Sequence, residues 1–450
     1  MSVAKQPLKV AVVGGGWAGC AAGVELASKG ARVTLFEAAR MLGGRARAVQ
    51  AKEALLDNGQ HIMLGAYAET LALLRRVGVA ERDALLRLPL QMRYPPGSGL
   101  MDFVAPRLPA PLHMLAALLR ATGLEREDKL ALARFSTSAR WMKWGLDTDC
   151  SVAELLARFD QTPRLTRLMW RPLCLAALNT AIERASANVF LAVLRDSLGA
   201  RRKDSDMLLP RVLLDALFPE AARRYIEERG GRVACGARVD TIARLDGGWQ
   251  VGACLGAAGF DAVVLATPAW QSAALVRPLA GLEALGARLD AFDYEPISTV
   301  YLQYAPGLRL PLPFCALLDD PARGAWGQFV FDRGQLGPGQ DRGQDGLLAV
   351  VISAALDAAK LAQDELARLV AVQLAAAFRQ PALAEPRWSR VLTEKRATFA
   401  CTPGLDRPGN ATGLDGLFLA GDYTAGDYPA TLEMAVRSGA AAARLALGAR

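Results

Sequence analysis

Short runs of consecutive apolar residues open and close this chain, and longer stretches with helical or alternating spacing fill the middle. Lys9-Val10-Ala11-Val12-Val13 shows no polar alternation after its first residue, which predicts a strand buried on both faces. It leads through Gly14-Gly15-Gly16-Trp17-Ala18-Gly19 into an Ala-rich helix ending near Lys29. A second strand, Arg32 to Phe36, stops at Glu37. Near the other end Gly416 to Ala420 predicts another short apolar strand, which should lie beside the first. Gly421-Asp422, a turn-rich stretch to Pro429 and a helix from about Thr431 toward Leu447 follow it.

The middle divides by period. Gly231 to Ile242 predicts strand, turn, strand, and Gly248 to Val251 continues it as an antiparallel ribbon. Phe260 to Pro268 is a further buried strand. Two inserts separate these pieces. From about Met92 to Arg202 apolar residues recur at three-to-four spacing, which predicts a mostly helical segment. From about Tyr294 to Arg396 the pattern opens on an alternating strand, Ser298 to Tyr304. Strands at 327–331 and 347–354, a helix over 362–378 and a solvent loop from Gly334 to Gly346 follow. The fold class is therefore α/β, with a discontinuous Rossmann-type domain formed by 1–91, 203–293 and 397–450. A mixed α+β domain formed by 92–202 and 294–396 should hold the substrate.

The turn after the first strand is a G-x-G-x-x-G. Gly14 permits the tight turn, Gly16 lets backbone approach a pyrophosphate, and Gly19 lets helix and strand pack closely. Trp17 and Ala18 begin the helix whose positive end faces the phosphates. Glu37 stands 21 residues past Gly16, where an acid accepts bonds from ribose hydroxyls and repels a 2′-phosphate. A plain glycine turn would not bring strand, helix, second strand and terminal acid in this order, so the site reads as a dinucleotide site that disfavours NADP.

At 450 residues the chain is long enough for two domains, and its +8 net charge is spread rather than gathered in a polybasic run. No basic patch is interleaved with aromatics, so nucleic acid is not an expected partner. The seven cysteines (20, 150, 174, 235, 254, 315 and 401) are scattered, and the histidines are His61 and His113 alone. No metal site or disulfide framework is expected, and the chain reads as reduced and cytosolic. The Gly fingerprint and Glu25 argue against a signal peptide, and no window offers a spanning helix. Leu112, Met114, Leu115, Leu118 and Leu119, with Trp141, Met142 and Trp144 beside Lys143, suit either an intramolecular helix pair or a helix lying in a membrane's inner leaflet.

Met41-Leu42-Gly43-Gly44-Arg45-Ala46, just past Glu37, adds a second glycine turn with an arginine. With the first fingerprint it resembles the FAD-containing amine oxidase and phytoene desaturase superfamily, over nearly the whole chain. That resemblance implies FAD and a glutathione-reductase-like domain. It implies that Gly43, Gly44 and Arg45 approach phosphate or flavin, that Val239 touches adenine through its backbone, and that the strand ending in Thr267-Pro268 passes the isoalloxazine. It further implies that Asp422, after Gly421, bonds the ribityl chain or phosphate, with the following helix aimed at the flavin pyrimidine. Asp57-Asn58-Gly59-Gln60-His61, Met169 to Thr180, Leu194 to Ser197 and Asp204 to Pro210 together resemble the hydroxysqualene dehydroxylases of bacterial hopanoid synthesis.

This narrower resemblance implies reductive removal of an allylic hydroxyl from a long-chain isoprenoid. Squalene-synthase-like enzymes would be functional partners. No second nucleotide fingerprint appears, so NAD(P)H would act as an external reductant. The chemistry needs a dry channel and a group that hydrogen-bonds the departing oxygen. Asp57 and His61 are the first candidates for that group. Asp196 beside Arg195, Tyr294 and Glu295 are weaker ones, and each also fits a structural role. A carotenoid-type desaturase, running hydride the other way, and a non-catalytic FAD-fold carrier remain as other readings. No aromatic cage with a lysine, as in amine oxidases, is recognisable.

Overall fold

The computed structural model describes residues 6–51, 54–198, 201–253, 256–337 and 344–448. Five parallel strands form the first sheet, in the order Arg232–Cys235, Arg32–Glu37, Lys9–Val13, Ala262–Leu265, Leu417–Leu419. The three middle runs are apolar because helices cover one face and the antiparallel ribbon that begins at Val239 covers the other, and Val12 stands opposite both Leu35 and Val264. The strand Leu417–Leu419 pairs with Ala262–Leu265, not with the first strand beside which it was expected. The reason is that the strand from the middle of the chain inserts between them.

Helix Trp17–Ser28 is buried along almost its whole length between helices Leu432–Gly448 and Pro219–Glu227. Glycines make this possible: a Cβ on Gly439 would sit 2.1 Å from the Ala18 carbonyl oxygen, and one on Gly23 would sit 2.7 Å from Ile226 Cδ1. Buried Glu433 accepts from the amides of Glu69 and Thr70 and so closes the open N-terminus of helix Ala68–Arg76. Strands Val239–Leu245, Gly248–Ala253 and Gly256–Phe260 make an antiparallel ribbon.

The second large sheet is antiparallel, in the order Phe314–Ala316, Phe329–Asp332, Leu347–Ile352, Tyr294–Gln303, Trp388–Phe399. Helix Gln363–Phe378 packs on it, close to the expected span. Strand Trp388–Phe399 crosses the domain boundary expected at 396–397. Of the loop expected over 334–346, residues 338–343 lie outside the described residues, and its start forms a short helix, Arg333–Leu336. The first insert is mostly helical, though it begins with the hairpin Gln91–Arg93 and Asp102–Val104. Among the described residues no helix is long and apolar enough to cross a membrane.

Candidate flavin and substrate site

All five strands of the parallel sheet end on the same edge, so the turns that follow them meet there. Gly14, Gly16, Glu37, Thr267, Gly421 and Asp422 accordingly line one cavity of about 680 Å³. Gly14 has φ +107°, and a Cβ on it would lie 2.6 Å from the Ala266 carbonyl oxygen. Gly16 bridges to Gly43, and a Cβ on Gly44 would lie 3.1 Å from the Gly16 Cα, so side chains here would close the groove between the two glycine turns. Gly19 does not line the cavity: its missing side chain lets the helix sit against Gly14, whose carbonyl oxygen a Cβ would meet at 1.9 Å.

Trp17 and Ala18 border the cavity, but the Trp17 indole turns away to the Phe218 ring and the Ala46 carbonyl. Glu37 accepts from the amides of Gly15 (2.6 Å) and Ala39 (2.7 Å), and each oxygen keeps a lone pair for a ribose hydroxyl. Val239 borders the same cavity from the ribbon. The start of helix Leu432–Gly448 reaches it through Thr431, Leu432 and Ala435, so the helix brings its positive end to the site.

Arg45 and Asp422, 377 residues apart, are joined directly. The guanidinium donates to both Asp422 oxygens at 2.7 Å and to the Ala397 carbonyl at 2.6 Å. Two motifs expected to meet the cofactor separately therefore meet each other as well.

The Asp57 to His61 segment is tied to the protein at every polar side chain but one. Asn58 donates to the Arg45 carbonyl and to Glu394, and Gln60 joins Tyr301 and Arg333. Asp57 does not line the cavity. Its carboxylate accepts from the Leu214 amide at 2.8 Å and pairs with buried Arg333 at 3.4 Å, so the geometry gives it an anchoring place away from the reacting space. Only His61 faces the cavity with its Nδ1 unpartnered, beside Gly59 and near Thr299. Burial, assisted by Arg45, lowers His61 to about 4, so the ring is neutral at physiological pH.

The weaker candidates are placed apart. Asp196 pairs with Arg195 and accepts from Tyr428, and Glu295 pairs with Arg184. The Tyr294 hydroxyl is buried without a partner, its ring edge-on to Trp270 at 5.0 Å. Of two further cavity residues, Trp270 carried no sequence signal and Asn179 was marked only as part of the Met169 to Thr180 segment. Trp270 borders the site with Arg396 stacked 4.5 Å over its ring, and Asn179 takes the left-handed conformation to bond Glu295, Ala354 and Thr398.

Asp57 supplies a pH signature. Burial pushes it up to about 6, against the opposing pulls of Arg333 and the Leu214 amide. Its pKa in the unfolded chain is lower, so the native state holds the extra proton between about pH 4 and pH 6. The unfolding free energy should therefore fall as pH rises through that window, by up to about 3 kcal/mol. Chemical denaturation of the wild type and Asp57→Asn across this range should show that component only in the wild type. Parallel pH dependences would remove the assignment.

The model for flavin-containing amine oxidoreductases matches residues 17–447, and the chain belongs to that family. It is an FAD-dependent oxidoreductase. Within the family it is similar along its length to hydroxysqualene dehydroxylases. The one from Rhodopseudomonas palustris is 30% identical over 98% of this chain and 98% of that protein. The zeta-carotene desaturase of Solanum lycopersicum is 27% identical over 96% of this chain and 79% of that one. Among solved structures, the cyclohexylamine oxidase of Brevibacterium oxydans shares the fold, with a TM-score of 0.69 at 18% identity over 98% of this chain and 99% of that one.

Proposed function

We propose that this oxidoreductase removes the allylic hydroxyl of hydroxysqualene to give squalene, as a step of hopanoid synthesis. The observation that carries the reading is a cavity lined both by the dinucleotide turns and by apolar residues, with His61, whose Nδ1 has no partner, on its wall. Gly14, Gly16, Gly43 and Gly44 would let the pyrophosphate approach the backbone, Glu37 would hold the ribose, and Arg45 with Asp422 would fasten the far side. Reduced FAD, when bound, supplies a hydride to the carbon that loses its oxygen. NAD(P)H would provide the electrons from outside, and a squalene-synthase-like enzyme would supply the substrate.

The chain's own groups do the rest. Ala176, Ala177, Leu275, Ile297 and Leu392 line the cavity and keep water from an allylic cation. The C–O bond breaks as the C–H bond forms, and the oxygen leaves as hydroxide held by a hydrogen bond, which a solvent proton converts to water on release. His61, neutral at the working pH, can donate a hydrogen bond to that oxygen without having to be charged beforehand.

Anaerobic incubation with hydroxysqualene and NADPH should yield squalene, followed by mass spectrometry. Conjugated double bonds formed from phytoene with an electron acceptor would instead establish a desaturase, the reading favoured by the similarity to zeta-carotene desaturases. His61→Leu should lower kcat about 100-fold, whereas His61→Gln, which keeps an N–H donor, should retain more of it. The wild-type rate should show no inflection near pH 6.5, and equal rates for wild type and His61→Leu would remove His61 from the step.

A further inference from the structure

We propose that the face formed by helices Leu112–Arg120 and Arg126–Trp141 docks on an anionic lipid bilayer. Six of the eleven large apolar side chains that stand exposed among the described residues belong to this short part of the chain: Leu108, Leu112, Leu115, Leu119, Leu130 and Trp141. In the first helix His113 and Ala117 face inward, while Leu112, Leu115 and Leu119, at spacings of three and four, face out. Leu119 is 67% exposed, and Trp141, at the end of the second helix, is 84% exposed. Leu130, Arg134 and Trp141 lie on one face of that second helix, opposite its buried Leu132 and Ala139. Lys129 donates to the Leu119 carbonyl at 3.1 Å, which joins the end of one helix to the start of the other.

Charge identifies the occupant. Arg107, Arg120, Arg126, Arg134, Arg140 and Lys143 are all exposed in the same stretch, and none of them is ion-paired among the described residues. Residues 107–143 hold seven basic and three acidic side chains. One of those acids, Asp128, is buried and occupied by the Glu125 amide and Thr162. Leucines with an interfacial tryptophan amid unpaired cations fit a leaflet of acidic headgroups, where the apolar side chains enter shallowly and the cations meet phosphate. A second copy of this chain would bring two sets of unpaired cations face to face, which like-charge repulsion opposes. The surface is independent of the reaction assigned to the cavity.

Co-sedimentation of the full-length holoprotein with vesicles tests this. Binding to phosphatidylcholine vesicles that contain phosphatidylglycerol should be at least about tenfold tighter than to phosphatidylcholine alone, and should weaken at high salt. Leu115→Asp/Leu119→Asp and, separately, Arg134→Glu/Arg140→Glu should each abolish it, with flavin content and melting temperature unchanged because these side chains face solvent. Vesicles should shift the tryptophan emission of the wild type to the blue more than that of Trp141→Phe. A wild type that stays in the supernatant with both vesicles overturns the proposal. So do leucine variants that sediment like the wild type, or a wild-type dimer that the leucine variants turn into a monomer.

Discussion

Arg45→Ala is expected to purify nearly free of flavin and to lose stability. The guanidinium holds both oxygens of Asp422, a residue only 7% exposed, and also the Ala397 carbonyl. Removing it leaves a carboxylate without its cation next to the place the flavin must occupy. Breaking a fully buried pair costs about 3–5 kcal/mol, and because a third of the Arg45 side chain is exposed the loss here should be about 2–3 kcal/mol. Arg45→Lys should restore the charge but only part of the binding, since one ammonium cannot span Asp422 and the Ala397 carbonyl as the two terminal nitrogens of the guanidinium do. Arg45→Ala/Asp422→Asn should lose less than the two single variants added together. The ratio of flavin to protein absorbance in purified material measures the first effect and denaturant unfolding the second. Full flavin content in Arg45→Ala would show that the pair does not close the site.

Gly439→Ala should destabilise the protein by about 3 kcal/mol, an unusually large loss for one methyl group. A Cβ there meets backbone, not a movable side chain: the Ala18 oxygen at 2.1 Å and the Ala18 carbon at 3.0 Å. The two helices must separate, and the start of each borders the flavin cavity, at Trp17 and Ala18 and at Leu432 and Ala435. Loss of flavin should accompany the loss of stability. Gly448→Ala, in the same helix but facing open space, serves as the control and should change stability by no more than about 0.5 kcal/mol. Equal unfolding midpoints for the two variants would refute the close helix contact.

How much of this could be read from the sequence follows from distance along the chain. The Gly14 to Glu37 unit was legible because all its parts fall within one strand–turn–helix–strand, where spacing carries the geometry. The second glycine turn carries no such spacing, and its role was implied only by the family resemblance. The Arg45–Asp422 and Asp57–Arg333 pairs were not legible, since nothing local marks which distant ion an arginine will meet. Asp57 and His61 looked alike as candidates four residues apart. Only the fold shows that one is spent on Leu214 and Arg333 while the other is left facing the cavity. Strand Trp388–Phe399 escaped notice because it is the edge of its sheet, and an edge strand carries charges such as Arg390, Lys395 and Arg396 that hide its alternation. Nothing local in the sequence marks Gly439, because its partner is a carbonyl more than four hundred positions earlier.

The joining of Arg45 to Asp422 also sets a timetable. A ribosome delivers the first glycine turn early, but the carboxylate that clasps the arginine follows only 377 residues after Arg45. Until then the fifth strand of the parallel sheet is missing and the groove has one open wall. The nascent chain must keep strand Ala262–Leu265 unpaired on that side, and flavin can be captured securely only after Asp422 has emerged.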